Sequence, residues 1–263
     1  MKETPAMKIQ LLSDLHIEFF GDAVERFHIE PTDAELIVLA GDIGVGTDGM
    51  QWAIEQAERL GRPILYVPGN HEYYFQDLPT NRRALRELSA DSPVQLLDDD
   101  QWISQGVRFL GCTLWTDYRA TRQRKKSLDA ARRMMNDHRL IVNGERVFSP
   151  EDAEQLHQRS LAWLKDRLGE PFAGRTVVIS HHGPSPLAQH PGFPMHAITG
   201  AFWSDLEYLM GAPIDLWLFG HTHMCLDETI NGTRLVSNQQ GYRRGLDQPW
   251  EVREYDPGFV LEL

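Results

Sequence analysis

Five short apolar runs in this chain each stop at side chains able to ligate a metal, and that repeat constrains the fold more than any other feature. Residues 8–12 lead into Ser13-Asp14-Leu15-His16, and 35–40 (ELIVLA) into Gly41-Asp42. Residues 64–67 lead into Pro68-Gly69-Asn70-His71-Glu72, 175–180 into His181-His182, and 216–219 into Gly220-His221-Thr222-His223. Runs of this length and aliphatic character, closed by turn formers, read as buried strands. Neighbouring strands lie under about 5 Å apart, so the ends of several strands can bring such side chains into one volume. In α/β folds ligands gather at that edge, because the sheet holds the position while the loops choose the residues.

Between the runs the spacing alternates to helical. Met50, Ala53, Ile54, Ala57 and Leu60 share a face, with Gly61 as a stop, and 78–88 repeats the pattern through Leu78, Ala84, Leu85 and Leu88. Residues 94–97 and 107–114 read as further strands, and 233–237 and 259–263 as closing ones. Ser149-Pro150-Glu151-Asp152 supplies an N-cap, a first-turn proline and early acids to a helix whose stripe is Ala153, Leu156, Leu161, Leu164 and Leu168. A basic segment, 119–126 with Arg132 and Arg133, leads to Asp137-His138 and a turn at Asn143-Gly144. It reads as a helical lid insertion at about 116–148, offering either a solvated face or arginines that meet an anionic substrate. No repeat or boundary splits the chain, so a single domain over 1–263 is expected.

At 263 residues the chain can bury a full core, and 41% hydrophobic with 24% charged residues is ordinary for a folded protein. Lys+Arg 26 against Asp+Glu 38 gives −12, which disfavours a nucleic-acid or acidic-membrane surface but leaves room for a local positive site such as a bound metal. Cys112 and Cys225 are too few for a disulfide scaffold. The first residues lack an apolar leader core, and no run approaches the roughly 20 apolar residues of a membrane span, so a cytoplasmic location is expected.

Imidazole mixed with carboxylate and amide oxygens favours Mn, Fe, Zn, Co or Ni over Ca or Mg. Asp14, His16, Asp42, Asn70, His181, His221 and His223 are too many ligands for one ion. Asp42, alone between two paired motifs, is the economical bridge between two. Such a pair can generate hydroxide from water and clamp the oxygens of an in-line phosphoryl displacement.

The ordered set DLH, GD, GNHE, HH and GHTH, from Asp14 to His223, resembles the calcineurin-like metallophosphoesterase superfamily. The resemblance implies an α/β fold: a four-layer αββα sandwich of two mixed β-sheets flanked by helices, with a dinuclear metal site on strand-end loops. It implies Asp14, His16, Asp42 and His223 on one metal, and Asp42, Asn70, His181 and His221 on the other. His71 is then the catalytic residue that touches the phosphate and protonates the leaving oxygen, as imidazole can near neutral pH. Two divalent ions against Asp14 and Asp42 leave a positive surplus for an anionic substrate. Asp48 is the guessed acidic partner of His71, and Glu72 is expected to support the loop. His182 is expected behind the ligands or turned away. His28, His138 and His157 are expected to be structural or at the surface, with His190 and His196 weakly favoured for the pocket.

Gly41-Asp42-Ile43-Gly44 lacks both the tyrosine of purple acid phosphatases and the Asp-Arg-Gly of phosphoprotein phosphatases. The Gly-Asn-His motif differs from the Asn-Arg pattern of the lipid-pathway pyrophosphatases. The expected activity is a dinuclear metal-dependent phosphoesterase acting on a small phosphoester, diesters slightly ahead of monoesters. The alternatives are a non-catalytic scaffold on the same fold, or a nuclease.

Overall fold

The computed structural model describes residues 7–263, so the first six residues of the expected domain lie outside it. In chain order the elements are β1 (Lys8–Leu12), β2 (Leu36–Leu39), α1 (Asp48–Leu60), β3 (Ile64–Tyr66), α2 (Leu78–Ser89), β4 (Val94–Leu96), β5 (Asp100–Ser104) and β6 (Val107–Cys112). They continue as α3 (Arg124–Met134), α4 (Asp137–Leu140), β7 (Val142–Asn143), β8 (Arg146–Val147), α5 (Pro150–Gly169), β9 (Arg175–Ser180), β10 (Leu216–Leu218), β11 (Leu226–Ile230), β12 (Thr233–Ser237) and β13 (Val260–Glu262).

Two mixed sheets face each other. One has the order β13-β1-β2-β3-β4 and the other β11-β12-β10-β9-β6-β5. Strands running through both faces of a parallel core have no polar side to show, which is why they read as continuous apolar runs. Inward residues Ile9, Leu11, Val38, Leu65, Phe109, Val177, Ile179 and Leu218 form the layer between the sheets. Outward residues Leu12, Ile37, Leu39 and Tyr66 pack under Met50, Trp52 and Ala53 of α1 and Leu85 of α2. Leu110, Val178, Trp217 and Leu235 pack on Leu164 of α5 from the opposite side. That is the expected four-layer sandwich.

α5 begins as its sequence predicts. Ser149 Oγ accepts from Asp152 N at 3.2 Å, and Asp152 Oδ2 accepts from Ser149 N at 2.8 Å. Such a reciprocal cap is worth about 1 kcal/mol.

Three differences have local causes. The strand expected over 107–114 stops at Cys112, since Leu114 and Trp115 take φ of 69° and 50°. β5 and β11 are edge strands with three of five residues exposed in each, and they carry no apolar run to read. The basic helix begins at Arg124, because 119–123 form a turn in which Asp117 accepts from Arg119 N and Arg122 has φ of 57°.

Parallel pairing in register brings the strand ends level. Leu12 pairs with Leu39, Leu39 with Tyr66, and across the other sheet Leu218 with Ile179. The two sheets are tied at this edge by a bridge between Ser13 and Gln239.

Candidate metal centre

The structure brings all seven candidate ligands to this one edge, buried except for His223, which is partly exposed. Three overlapping groups have ligand atoms within 4.8 Å of one another: Asp14/His16/His223, His16/Asp42/His71 and Asp42/His181/His221. Asp42 is the aspartate common to two of them, as a bridge would be.

The backbone is bent to make this possible. Asp14, His16, Asp42, His221 and His223 all have φ between 48° and 72°. Non-glycine residues held there cost of order 1–3 kcal/mol each and cluster at functional sites. Hydrogen bonds between the loops hold them: Asp14 N donates to Gly41 O and His16 N to Asp42 O, both at 3.0 Å. His221 N donates to Asp14 Oδ1 at 3.0 Å and His71 N to Asp42 Oδ1 at 2.9 Å. Gly69 is required where it is, since a Cβ would overlap Asp42 Oδ1. Glu72 collects four donors, from the amides of Asp42, Ile43 and Gly69 and the hydroxyl of Tyr66, so its place in the loop is structural.

Imidazole orientation follows one rule. His16 and His71 direct Nδ1 to Glu18 Oε1 at 3.2 and 2.8 Å, His223 to Glu251 Oε2 at 2.8 Å, and His181 to the carbonyl of Ala40 at 2.9 Å. Each Nε2 then faces the centre, the arrangement that outer partners impose on metal-binding histidines. His16 Nε2 and His223 Nε2 stand 3.2 Å apart, and His181 Nε2 is 3.1 Å from Asn70 Oδ1 and 3.3 Å from Asp42 Oδ1. His221 Nε2 is buried with no hydrogen-bond partner among the described residues. Converging imidazole nitrogens, carboxylates and an amide oxygen, with a buried imidazole nitrogen of His221 left without a partner among the described residues, are the donor set a divalent transition metal takes, so the residues fit such ions.

Asn70 is held by an unexpected neighbour. Its Nδ2 donates to Asp137 Oδ1 at 3.0 Å and to Tyr74 Oη at 3.1 Å, while Tyr74 Oη donates to Asp137 Oδ1 at 2.8 Å. The amide is thereby turned so that Oδ1 faces the centre. Asp137 comes from the 116–148 segment, whose Arg124 and Arg132 instead pair with Glu154 and Glu151 on α5. Those two arginines are committed to helix packing and not to an anionic substrate.

Asp48 does not reach His71; Glu18 does, so the guessed partner is corrected. Glu18 lies two residues beyond His16, and a D-x-H-x-E spacing was the available signal. The charge balance changes as well. Glu18 and Glu251 stand behind the histidines and Asp137 behind Asn70, so the surroundings of the centre are more acidic than Asp14 and Asp42 alone make them.

Burial opposes protonation of His71 and His181, but Asp42 acting together with Glu18 and Asp137 at His71, and with Asp14 and the Ala40 carbonyl at His181, outweighs it and raises both to about 9. Burial likewise opposes ionisation of Glu18, yet hydrogen bonds from His16 and His71 hold it at about 2. A metal ion bound by His181 would compete with a proton for its nitrogen.

His182 lies behind the centre, with Nδ1 on Thr113 O at 3.1 Å and its ring 4.1 Å from that of His221; burial and neighbouring His181 push it down to about 3. His138 and His157 bond Phe148 O and Leu114 O as structural residues, while His28 lies near Gln56. His190 and His196 bond within their own loop, through Gly192 N and Thr199 Oγ1, and not at the centre. Glu18, Tyr74, Asp137, Tyr242 and Glu251 complete the surroundings.

The sequence model of the calcineurin-like phosphoesterase family matches residues 7–225, ending before the segment that carries Tyr242 and Glu251. The chain is 24% identical over 260 residues to an uncharacterized protein of Acanthamoeba polyphaga mimivirus, covering 89% of this chain and 91% of that one. It is 21% identical over 287 residues to the [acyl-carrier-protein] phosphodiesterase PptH of Mycobacterium tuberculosis, covering 96% of this chain and 86% of that protein. The crystal structure of that organism's phosphopantetheinyl hydrolase PptH superposes with a TM-score of 0.74 at 17% identity, covering 99% of this chain and 96% of that chain.

Proposed function

Because the chain belongs to the calcineurin-like phosphoesterase family, we propose that it is a metal-dependent phosphodiesterase using two divalent ions, drawn from Mn, Fe, Zn, Co or Ni. The observation that carries this is the convergence of outward-anchored imidazoles, with their Nε2 atoms, on the shared carboxylate of Asp42. One ion takes Asp14, His16, Asp42 and His223, and the other takes Asp42, Asn70, His181 and His221. When bound, such a pair supplies Lewis acidity at phosphoryl oxygens and draws the pKa of water toward neutrality.

The chain's own residues do the rest. His71, with Nδ1 anchored on Glu18, holds a proton at Nε2 and gives it to the departing ester oxygen. Glu18 fixes the tautomer and stabilises the imidazolium. Asp137 and Tyr74 hold the amide of Asn70 with its oxygen toward the centre. In this reading the chain works as one domain, with the 116–148 segment as a wall that buttresses the site rather than an arginine clamp.

A diester is preferred to a monoester on the footing of the Mycobacterium tuberculosis relative, named a phosphodiesterase and similar across most of both chains. A phosphopantetheinyl ester on an acyl carrier protein is accordingly the first natural substrate to try. The presence of His71 with all seven candidate ligands weighs against a non-catalytic scaffold. Among the described residues no helix is long and apolar enough to cross a membrane.

Protein loaded with Mn or Zn should hydrolyse bis-p-nitrophenyl phosphate faster than p-nitrophenyl phosphate. No turnover with any divalent ion would sink the assignment. Faster monoester hydrolysis would reverse the preference.

A further inference from the structure

After β12 the chain returns over the centre between Gln239 and Glu251. Gly241, at φ 74°, turns it, and Arg243 closes the loop on itself by donating to Gln248 O at 2.7 Å with its guanidinium over the Trp250 ring. This places Tyr242 at the mouth. Its ring centroid is 4.6 Å from those of both His16 and His223, and 5.5 Å from Phe19 in an edge-to-face contact. Tyr242 N donates to Glu251 Oε2 at 2.6 Å, the same oxygen that holds His223 Nδ1. One carboxylate thus ties the strap to a candidate metal ligand.

Two features separate Tyr242 from a packing residue. It stays 43% exposed and Phe19 39%, so the pair leaves an aromatic surface in solvent beside His16 and His223. Its hydroxyl finds one partner among the described residues, His71 Nε2 at 3.4 Å, which is long for a hydrogen bond. A donor so weakly engaged, beside the nitrogen that would protonate the leaving group, is free to turn to an incoming anionic oxygen. An aromatic face flanking it suits a substrate with organic bulk next to phosphorus.

Resting on the phosphoesterase reading above, we propose that Tyr242 is a substrate-binding residue. Its hydroxyl donates to a non-bridging phosphoryl oxygen beside His71, and its ring, with that of Phe19, walls the organic group of the ester. Esters with an apolar or aromatic group next to phosphorus are thereby favoured.

The test uses the full chain loaded with Mn, with inorganic phosphate as the binding probe in calorimetry and two diesters as substrates. Tyr242→Phe keeps the ring and removes one hydrogen bond to a charged group. It should weaken phosphate binding and lower kcat/KM by about tenfold to a hundredfold, with metal content and melting temperature unchanged. Phe19→Ala should spare phosphate binding but lower kcat/KM for bis-p-nitrophenyl phosphate several-fold more than for methyl p-nitrophenyl phosphate. Unchanged phosphate affinity in Tyr242→Phe, while the unmodified chain binds phosphate and turns over, overturns this inference and leaves the phosphoesterase reading standing. Loss of metal in Tyr242→Phe overturns it too, by making the residue a support for His16 and His223. If the unmodified chain neither binds phosphate nor turns over, the phosphoesterase reading fails and this inference with it.

Discussion

The two halves of the centre are built from similar donors but held in different ways. Around Asp14, His16 and His223 the outer partners are carboxylates on loops, Glu18 with its side chain 19% exposed and Glu251 with its side chain 46% exposed. Around Asn70, His181 and His221 they are a backbone carbonyl, a tyrosine and Asp137, which is 3% exposed. The first half is supported by carboxylates, of which Glu251 is open to water and Glu18 largely buried, and the second by a buried network that water cannot replace. Exposed charge is partly screened, whereas a buried hydrogen-bonded carboxylate cannot be removed without leaving its donors unpaired. Losing a support should therefore cost the second half more.

The largest effect is expected where the halves meet. Asp42→Ala removes the common carboxylate and should leave neither ion bound, with turnover below detection; elemental analysis of the dialysed protein reads this directly. Retention of one ion would show that the halves are independent and that Asp42 is not shared. Next in size is His71→Ala, which should keep both ions and lower kcat by about 10² to 10⁴, the usual worth of a general acid. Equal metal loss in this variant would make His71 a ligand, as its membership of the His16/Asp42/His71 group allows.

The difference between the halves also separates what could be read from the sequence. The fold was legible because buried parallel strands have to be continuous apolar runs, and the ligand candidates were legible because each follows such a run within a few residues. The edge strands β5 and β11 carry no such pattern, and they were missed. Glu18 is legible in the sequence, since it shares its loop with His16, whereas Asp48 opens α1 and has no such link to the site. Asp137 lies 67 residues from Asn70 and Glu251 lies 28 from His223, and pairing across such separations depends on how loops cross, which periodicity does not encode. Two of the carboxylates behind the ligands, Asp137 and Glu251, thus arrive from loops that no strand pattern marks.

Asp137→Ala tests the buried support. It removes the acceptor of Tyr74 Oη and one of the two acceptors of Asn70 Nδ2, loosening the amide, and should weaken one of two metal affinities by about 10- to 100-fold. Chelator competition monitored by metal content should show one ion leaving early and the other unchanged. Asp137→Asn, which still offers an acceptor oxygen, should recover most of the loss. A uniform weakening of both ions would mean that the 116–148 segment stabilises the fold generally rather than Asn70 in particular.

The smallest effect is expected at Glu251. Its carboxylate accepts from His223 Nδ1 and from Tyr242 N, yet the side chain is nearly half exposed, so in Glu251→Gln water and the new amide oxygen can take over part of each contact. Burial opposes the charged form of His223, and Glu251, Asp14 and Asp42 raise its pKa despite that; removing one of these charges lowers the basicity of the ring. A less basic imidazole is a weaker donor to a metal, but only one charge in several is lost. A drop of about tenfold or less in the affinity of one ion is expected, at the low end of outer-partner effects, and raising salt should narrow the gap between the variant and the unmodified chain. The ion lost early here should be the one that survives in Asp137→Ala. If both variants release the same ion first, the two halves share one support and the contrast between them is wrong. If Glu251→Gln costs as much as Asp137→Ala, exposure does not discount a carboxylate's hold on a ligand at this site, and charge rather than burial governs both halves.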